Sequence, residues 1–462
     1  MRPVLLALAL SASTVVADPT PDPVGGLESP VPGFVDGLYH VVDLDLPDEA
    51  GAPFDLDVLF GEMDHVHLDP HSFRGASFQV LADRGEGVLE PVQVPEPRTY
   101  RGTTTGGGHA AGSLLDDGLT LQINFDEADE AWFIEPLSAF VEGAPHGRHI
   151  VYRREAEIAP PAWCDGGLET GALPEGRPNP SRSLYLCEIA FDADFEFYGL
   201  NGSSEANTVA DIENVMAGVE LAYERDCGII YEITTVIVRT TSNDPYTSNV
   251  PETLLGQFQS HWNGNQQGVH RDVAHLMTGR NMQGSVIGIA FLRGVCNANS
   301  GYGLSESRFT GAYNSRVALT AHELGHNWGA NHCDSQGNAN CDIMCSGLGG
   351  CGGYGAPEFE DPSIASITDW AARVDCLDVV PGGNIDLPLN DIFASTDLDL
   401  DVWQDVQGVE VNGDATDEPS QPYAMNLDAD DHAATGPVLA AGLIGQQVYA
   451  QYWVASSGVE SG

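Results

Sequence analysis

Residues 322–332 read HELGHNWGANH, an H-E-x-x-H-x-x-G-x-x-H run whose residue types and spacing suit a catalytic zinc ion. On a helix, His322 and His326 stand four positions apart, so both imidazoles leave the same face about one turn from each other. Glu323 adjoins the first of them, where a carboxylate can take a proton from water activated by the metal. Gly329 can adopt the left-handed backbone that ends a helix and reverses the chain, which returns His332 as third ligand. Three neutral imidazoles leave the fourth tetrahedral position open, the feature that separates a catalytic zinc from a structural one. Val317, Leu319, Leu324 and Trp328 surround the histidines with apolar residues, as expected of a helix set into a core.

The elements that must position this helix are legible on both sides of it. LYLCEIAF (184–191) reads as a buried strand. Thr208 and Asp211 read as a capping pair for a helix carrying Val209, Ile212, Val215, Met216, Val219 and Ala222 at helical spacing. GIIYEITTVIV (Gly228 to Val238) reads as a long strand, and VIGIAFL (Val286 to Leu292) as another just before the histidine helix. Strand, helix, strand implies a parallel crossover. Residues 181–380 are therefore expected to form an α/β sandwich of mixed sheet and helices with the zinc on its active-site helix.

At 462 residues the chain exceeds one ordinary domain, and its texture suggests several. MRPVLLALALSASTVVADP has an Arg, an apolar run and a small-residue cleavage site at Val15-Val16-Ala17, so residues 1–17 read as a secretory signal peptide. No later apolar stretch approaches the ~18 residues of a membrane span, so export without membrane insertion is expected. Residues 18–165 read as β-rich, with short alternating runs broken by Gly, Pro and Asp. His65 and His67 share one strand face there, and with His71 they admit two readings: a second metal site, or solvated strand histidines. A Pro/Gly-rich stretch from Ala159 to Pro180 reads as linker, taken as 166–180. Residues 381–462 carry Asp-rich turns and short alternating segments, and read as a partial β-sandwich, either minimal or incomplete. Asp397, Asp399 and Asp401 alternate there, as calcium ligands or as solvated turn carboxylates.

The net charge is −50 and the chain has no Lys, so all 18 basic residues are Arg. Like-charge repulsion makes nucleic acid and anionic membranes poor partners, and the acidity reads either as a match to cationic substrates or as solubility in a salty medium. Nine cysteines in an exported chain imply disulfides, and the odd count leaves at least one thiol, with Cys227 a candidate. Five of them fall between Cys333 and Cys376, so the zinc region is the stapled part; Cys333, Cys341, Cys345 and Cys351 allow three connectivities.

The zinc run with its third histidine resembles the metzincin signature. Met344, in CDIM twelve residues after His332, resembles the methionine turn whose side chain floors the zinc histidines. Ser346, where some metzincins place a tyrosine ligand, removes that variant. DVAHLMTGRNMQGSVIGIAFLRGVC (Asp272 to Cys296) and CEIAFDADFEFY resemble the reprolysin or ADAM-type catalytic domain. The resemblance implies that the strand bearing Gly288, Ile289 and Ala290 is a sheet edge along which an extended peptide substrate lies, and that Cys296 pairs with Cys376. It also raises a calcium ion near Glu188.

TYRGTTTGG around Tyr100, SLLDDGL, WFIEPL (Trp132 to Leu137) and HIVYRRE (His149 to Glu155) resemble the reprolysin propeptide. There a propeptide cysteine ligates the zinc and holds the enzyme latent, and Cys164 in PAWCDGG stands in the corresponding place. Asp165 replaces the usual glycine, and a disulfide from Cys164 to Cys187 is the competing reading. In all, roughly residues 80–380 are reprolysin-like, while the tail lacks the Cys-rich pattern of animal relatives. The expectation is a secreted, extracellular zinc endopeptidase acting on proteins or peptides and made as a latent precursor. An adhesion protein is the rival class, against which all four motif residues are intact.

Overall fold

A computed structural model describes residues 30–85, 87–125, 130–158, 160–169, 184–336, 342–348 and 358–380. The expected signal peptide, Cys341, Cys351 and the whole of 381–462 lie outside the described residues.

The N-terminal half consists of strands: β1 (Tyr39–Asp43), β2 (Phe54–Phe60), β3 (Glu62–His71), β4 (Arg74–Asp83), β5 (Leu89–Val92), β6 (Thr99–Thr104), β7 (Gly108–Leu115), β8 (Gly118–Phe125), β9 (Glu130–Pro136), β10 (Arg148–Arg153) and β11 (Ala162–Glu169). The second half alternates: β12 (Tyr185–Ala193), α1 (Phe195–Leu200), α2 (Glu205–Cys227), β13 (Ile229–Arg239), α3 (Pro251–Asn265), β14 (Val273–Met277), β15 (Val286–Leu292), β16 (Tyr302–Ser305), α4 (Tyr313–Asn327), β17 (Gly347–Leu348), α5 (Asp361–Ala371) and β18 (Asp378–Val379). Among the described residues no helix is long and apolar enough to cross a membrane.

One sheet is antiparallel throughout, in the order β1-β10-β9-β8-β7-β6-β3-β2. The period-2 alternation of β8 explains its double burial. Leu119, Leu121 and Ile123 join a core with Leu68, Ile134 and Val151, while Gln122 points the other way, toward Gly218 of α2. A Cβ at Gly218 would meet Val317 of α4 as well as Gln122 at under 3 Å, so glycine lets α2 lie between this sheet and the helix α4.

The second sheet runs β17-β11-β15-β16-β14-β12-β13-β4-β5, with β18 added beside β12. Its middle strands are parallel apart from the antiparallel β15–β16 pair, as the crossover expectation requires. The N-terminal half contributes strands on both sides of this parallel centre: β4 pairs in parallel with β13, and β11 pairs in parallel with β15 and carries β17 on its other edge. Hence the expected boundary at 165 does not coincide with a boundary between sheets, and part of the expected linker, 166–169, is strand. The Pro and Gly content of that segment reads locally as linker, but the unsatisfied edge of β15 supplies hydrogen-bond partners that order it. Residues 170–183 lie outside the described residues.

The cap of α2 also departs from expectation. Ser204 is the N-cap, its side chain accepting from Asn207 N, and Gly228 closes the helix in the left-handed conformation. Thr208 and Asp211 lie inside the helix and are buried. His65 and His67 lie exposed among Asp55, Asp57 and Asp69, whose hydrogen bonds and charges raise both imidazole pKa values. His71 instead turns to Glu220 at 3.0 Å. The three histidines do not converge.

Candidate active site

The helix α4 carries His322, Glu323 and His326 with its whole length buried. Gly329 follows at φ +97°, reversing the chain so that His332 returns beside the helical pair. The imidazole centroids of the three histidines lie 4.7, 5.2 and 5.0 Å apart, and His326 Nε2 is 3.3 Å from His332 Nε2. Two main-chain carbonyls set the ring orientations. Ile343 O is 2.6 Å from His322 Nδ1, and Ala330 O is 2.8 Å from His326 Nδ1. A carbonyl accepts only from N–H, so each ring carries its proton on Nδ1 and turns a bare Nε2 lone pair toward the other histidines.

Burial, followed by the neighbouring histidines, drives the His322 pKa well below its ordinary value and the His326 pKa down to about 3; burial also lowers His332. All three are thus neutral near pH 7, the protonation state that a metal requires. Ligand atoms of Cys164, His322, His326 and His332 lie within 4.8 Å of one another. His322 Nε2 is buried with no hydrogen-bond partner among the described residues, a cost that a bound cation would remove. Imidazole nitrogens with a thiol match the preference of zinc, so the residues fit the ion.

Met344 lies beneath the helix: a Cβ on Gly325, between the two helical histidines, would collide with its sulfur. The turn that holds it is built by Asp342, which accepts from Met344 N at 2.8 Å and from Ser363 Oγ at 2.7 Å. A Cys333–Cys345 disulfide ties this turn to the loop after His332, and Cys296 is bonded to Cys376. Ser346 Oγ donates to Asp334 at 2.9 Å, away from the histidines.

Glu323 is fully buried, and its carboxylate lies against Gly288 of β15 so closely that a Cβ there would overlap it. Ile289 and Ala290 continue the same strand, but its outer edge is not open in this structure. Residues 162–169 occupy it, with Cys164 opposite Gly288 and Gly167 opposite Ala290. The physical reason is that a strand edge with unsatisfied amides is filled by the nearest extended segment able to reach it. This register carries Cys164 Sγ to 3.5 Å from His326 Nε2. Gly166 and Gly167 pass His332 and His326 at 3.5 and 3.2 Å from their would-be Cβ positions. Cys164 and Cys187 are not bonded to each other; Cys187, like Cys227, is a core thiol whose pKa burial raises.

Several supporting residues carry no local sequence signal. Asn327 donates to Phe291 O and Tyr302 O at 2.8 and 3.0 Å, fastening the end of α4 to β15 and β16. Arg316, buried on α4, pairs with Asp211 of α2 at 2.9 Å. Glu135 and Glu157, from the N-terminal half, receive Tyr313 N and the side chains of Asn314 and Ser315 at the first turn of α4, whose own N-cap, Ala312, offers no side-chain acceptor. A polar residue in an apolar run marks Asn327 at most; the others depend on partners roughly one hundred or more positions away.

Comparison with known proteins falls on the same segment. The model of metallo-peptidase family M12, reprolysin type, matches residues 183–355. The chain is 28% identical over 255 residues to disintegrin and metalloproteinase domain-containing protein 19 of Mus musculus, covering 51% of this chain and 27% of that protein. It is 27% identical over 232 residues to the Homo sapiens counterpart, covering 46% and 24%. Snake venom metalloproteinase trimerelysin-2 of Protobothrops flavoviridis is 36% identical over 109 residues, which cover 23% of this chain and 48% of that protein. The chain therefore spans about a quarter of the length of the first two relatives and about half of the third.

Proposed function

We propose that this chain, whose residues 183–355 match the reprolysin-type model of metallo-peptidase family M12, is a secreted zinc endopeptidase made as a latent precursor. The observation that carries this reading is the orientation of the histidines: two backbone carbonyls fix the rings of His322 and His326 so that their bare Nε2 atoms gather with His332 and the Cys164 thiol. His322, His326 and His332 would hold the zinc, which when bound supplies a Lewis acid that acidifies water and polarises a carbonyl.

Glu323 is the general base and then the general acid. Its carboxylate takes the proton of the attacking water and passes it to the leaving amine nitrogen, so the carbon–nitrogen bond breaks as a neutral amine departs. β15 positions the substrate: its amide groups pair with an extended peptide backbone and lay the scissile carbonyl beside Glu323, opposite Gly288. Asn327 and the Met344 turn keep the helix fixed relative to that strand.

Latency follows from β11. Cys164 placed among the histidines would serve as the fourth ligand, and the rest of β11 occupies the substrate strand. In this reading residues 18–165 act as propeptide, and processing between β11 and β12 precedes activity. The test is cleavage of a denatured protein by the processed form, with and without a chelator, alongside metal analysis. Chelator-sensitive cleavage restored by zinc is the expected result; stoichiometric zinc in a processed form that cleaves nothing would overturn it.

A further inference from the structure

A cavity of about 450 Å³ opens where β11 begins to pair with β15, lined by Pro160, Pro161 and Ala162 on one side and by Ile287, Glu306 and Phe309 on the other. Its distance from the reaction centre is set by the strand. The Glu323 carboxylate lies against Gly288, and Val286 and Ile287, which both line the cavity, precede that glycine. At about 3.3 Å per residue the cavity starts about two residues along the strand. Pro161 and Ala162 run past it on the way into β11, and a peptide that takes the place of β11 on β15 must do the same.

Glu306 carries the single formal charge in the lining. It is anchored from both walls: its carboxylate accepts from Met282 N at 3.0 Å, and its own N–H donates to Ile287 O at 2.7 Å. The nearby cation Arg308 is turned away toward Asp211 and Asn201. Ile287 and Phe309 form apolar walls that can receive the methylene stem of a long side chain, while its charged end meets the carboxylate. Burial pushes the Glu306 carboxyl up to about 7 against the opposing effect of the Met282 N–H, so a cation brought alongside restores the charged form.

We infer that Glu306 determines specificity by selecting substrates with a lysine or arginine two to three residues from the scissile bond, on the side that runs toward Val286. This rests on the peptidase reading and names its substrate class. The experiment compares processed wild type, Glu306→Gln and Glu306→Lys on peptides carrying lysine, norleucine or glutamate at each of the three positions on either side of one cleavage site. Glutamine keeps an acceptor for Met282 N, and the norleucine peptides report whether each variant is intact. The expected result is a roughly tenfold preference in kcat/KM for lysine over norleucine, on one side only. Glu306→Gln should lose that preference while cleaving the norleucine peptide within about twofold of wild type, and Glu306→Lys should turn it toward glutamate. Cleavage without a lysine preference, or an equal loss on every peptide in Glu306→Gln, overturns the inference. Failure of wild type to cleave any peptide would instead sink the peptidase reading itself.

Discussion

Cys164 Sγ lies 3.5 Å from His326 Nε2, on the side of the imidazole left for a ligand once Nδ1 has engaged Ala330 O. The thiol is held there by strand register, since Cys164 stands opposite Gly288 in the β11–β15 pair. Under the proposed function this arrangement opposes catalysis in two ways: a thiol among the candidate metal ligands and a backbone along the proposed substrate strand. Cys164→Ala removes the first and keeps the second. The intact chain bearing this substitution is expected to hydrolyse a peptide in a chelator-sensitive manner while the intact wild type does not. If both are equally silent before processing, occlusion of β15 alone accounts for latency.

Glu323 and His326 should separate chemistry from metal binding. Glu323→Ala is expected to cut turnover by about 10²–10⁴-fold or more with zinc still bound, because in the proposed mechanism it removes a proton carrier and no ligand. His326→Ala removes a ligand, and its zinc content after dialysis should fall below that of Glu323→Ala. The measurements are peptide hydrolysis and metal per chain on the same samples.

The convergence of His322, His326 and His332, with Glu323 on the same helix and Met344 beneath it, was legible because it depends on spacing along one helix and its following turn, and spacing is what a sequence records. Capping of α2 was not, because Asp211 has the chemistry of a cap residue but serves as counterion to Arg316 and Arg308 across the core. Nothing near Asp211 announces a partner about one hundred positions away. The β-rich texture of 18–165 covers β4 without revealing which sheet it joins; that is decided by the free edge of β13. The Pro and Gly of 159–180 similarly hide β11, whose order comes from β15 rather than from its own propensity.

The Arg316–Asp211 pair joins α4 to α2 with both side chains almost fully buried. Arg316→Ala leaves Asp211 with only the half-exposed Arg308, and breaking a buried pair from one side costs about 3–5 kcal/mol. The expected observation is a large drop in the denaturation midpoint. Arg316→Met combined with Asp211→Asn should recover much of it, because no uncompensated charge is left inside.

Glu135 and Glu157 give the protein a pH dependence whose sign is opposite to that of an ordinary salt-bridged carboxylate. Burial pushes Glu135 up to about 8, against hydrogen bonds from Tyr152 and from Tyr313 N; burial pushes Glu157 up to about 7, against Ser315 and Asn314. Both values exceed the 4.5 of an exposed glutamate, so the folded state binds protons that the unfolded state releases. Their contribution is therefore complete below about pH 4.5 and declines as pH rises through about 7 and about 8, by on the order of a few kcal/mol. Thermal midpoints should fall from pH 5.5 to pH 8.5, although metal affinity for neutral imidazoles strengthens in the same direction. Glu135→Gln and Glu157→Gln isolate the carboxylates from the metal, since glutamine retains an acceptor for Tyr313 N or Ser315 Oγ and does not titrate. Each variant is expected to flatten the decline relative to wild type, and an unchanged slope in both would show that these carboxyls do not titrate in this range.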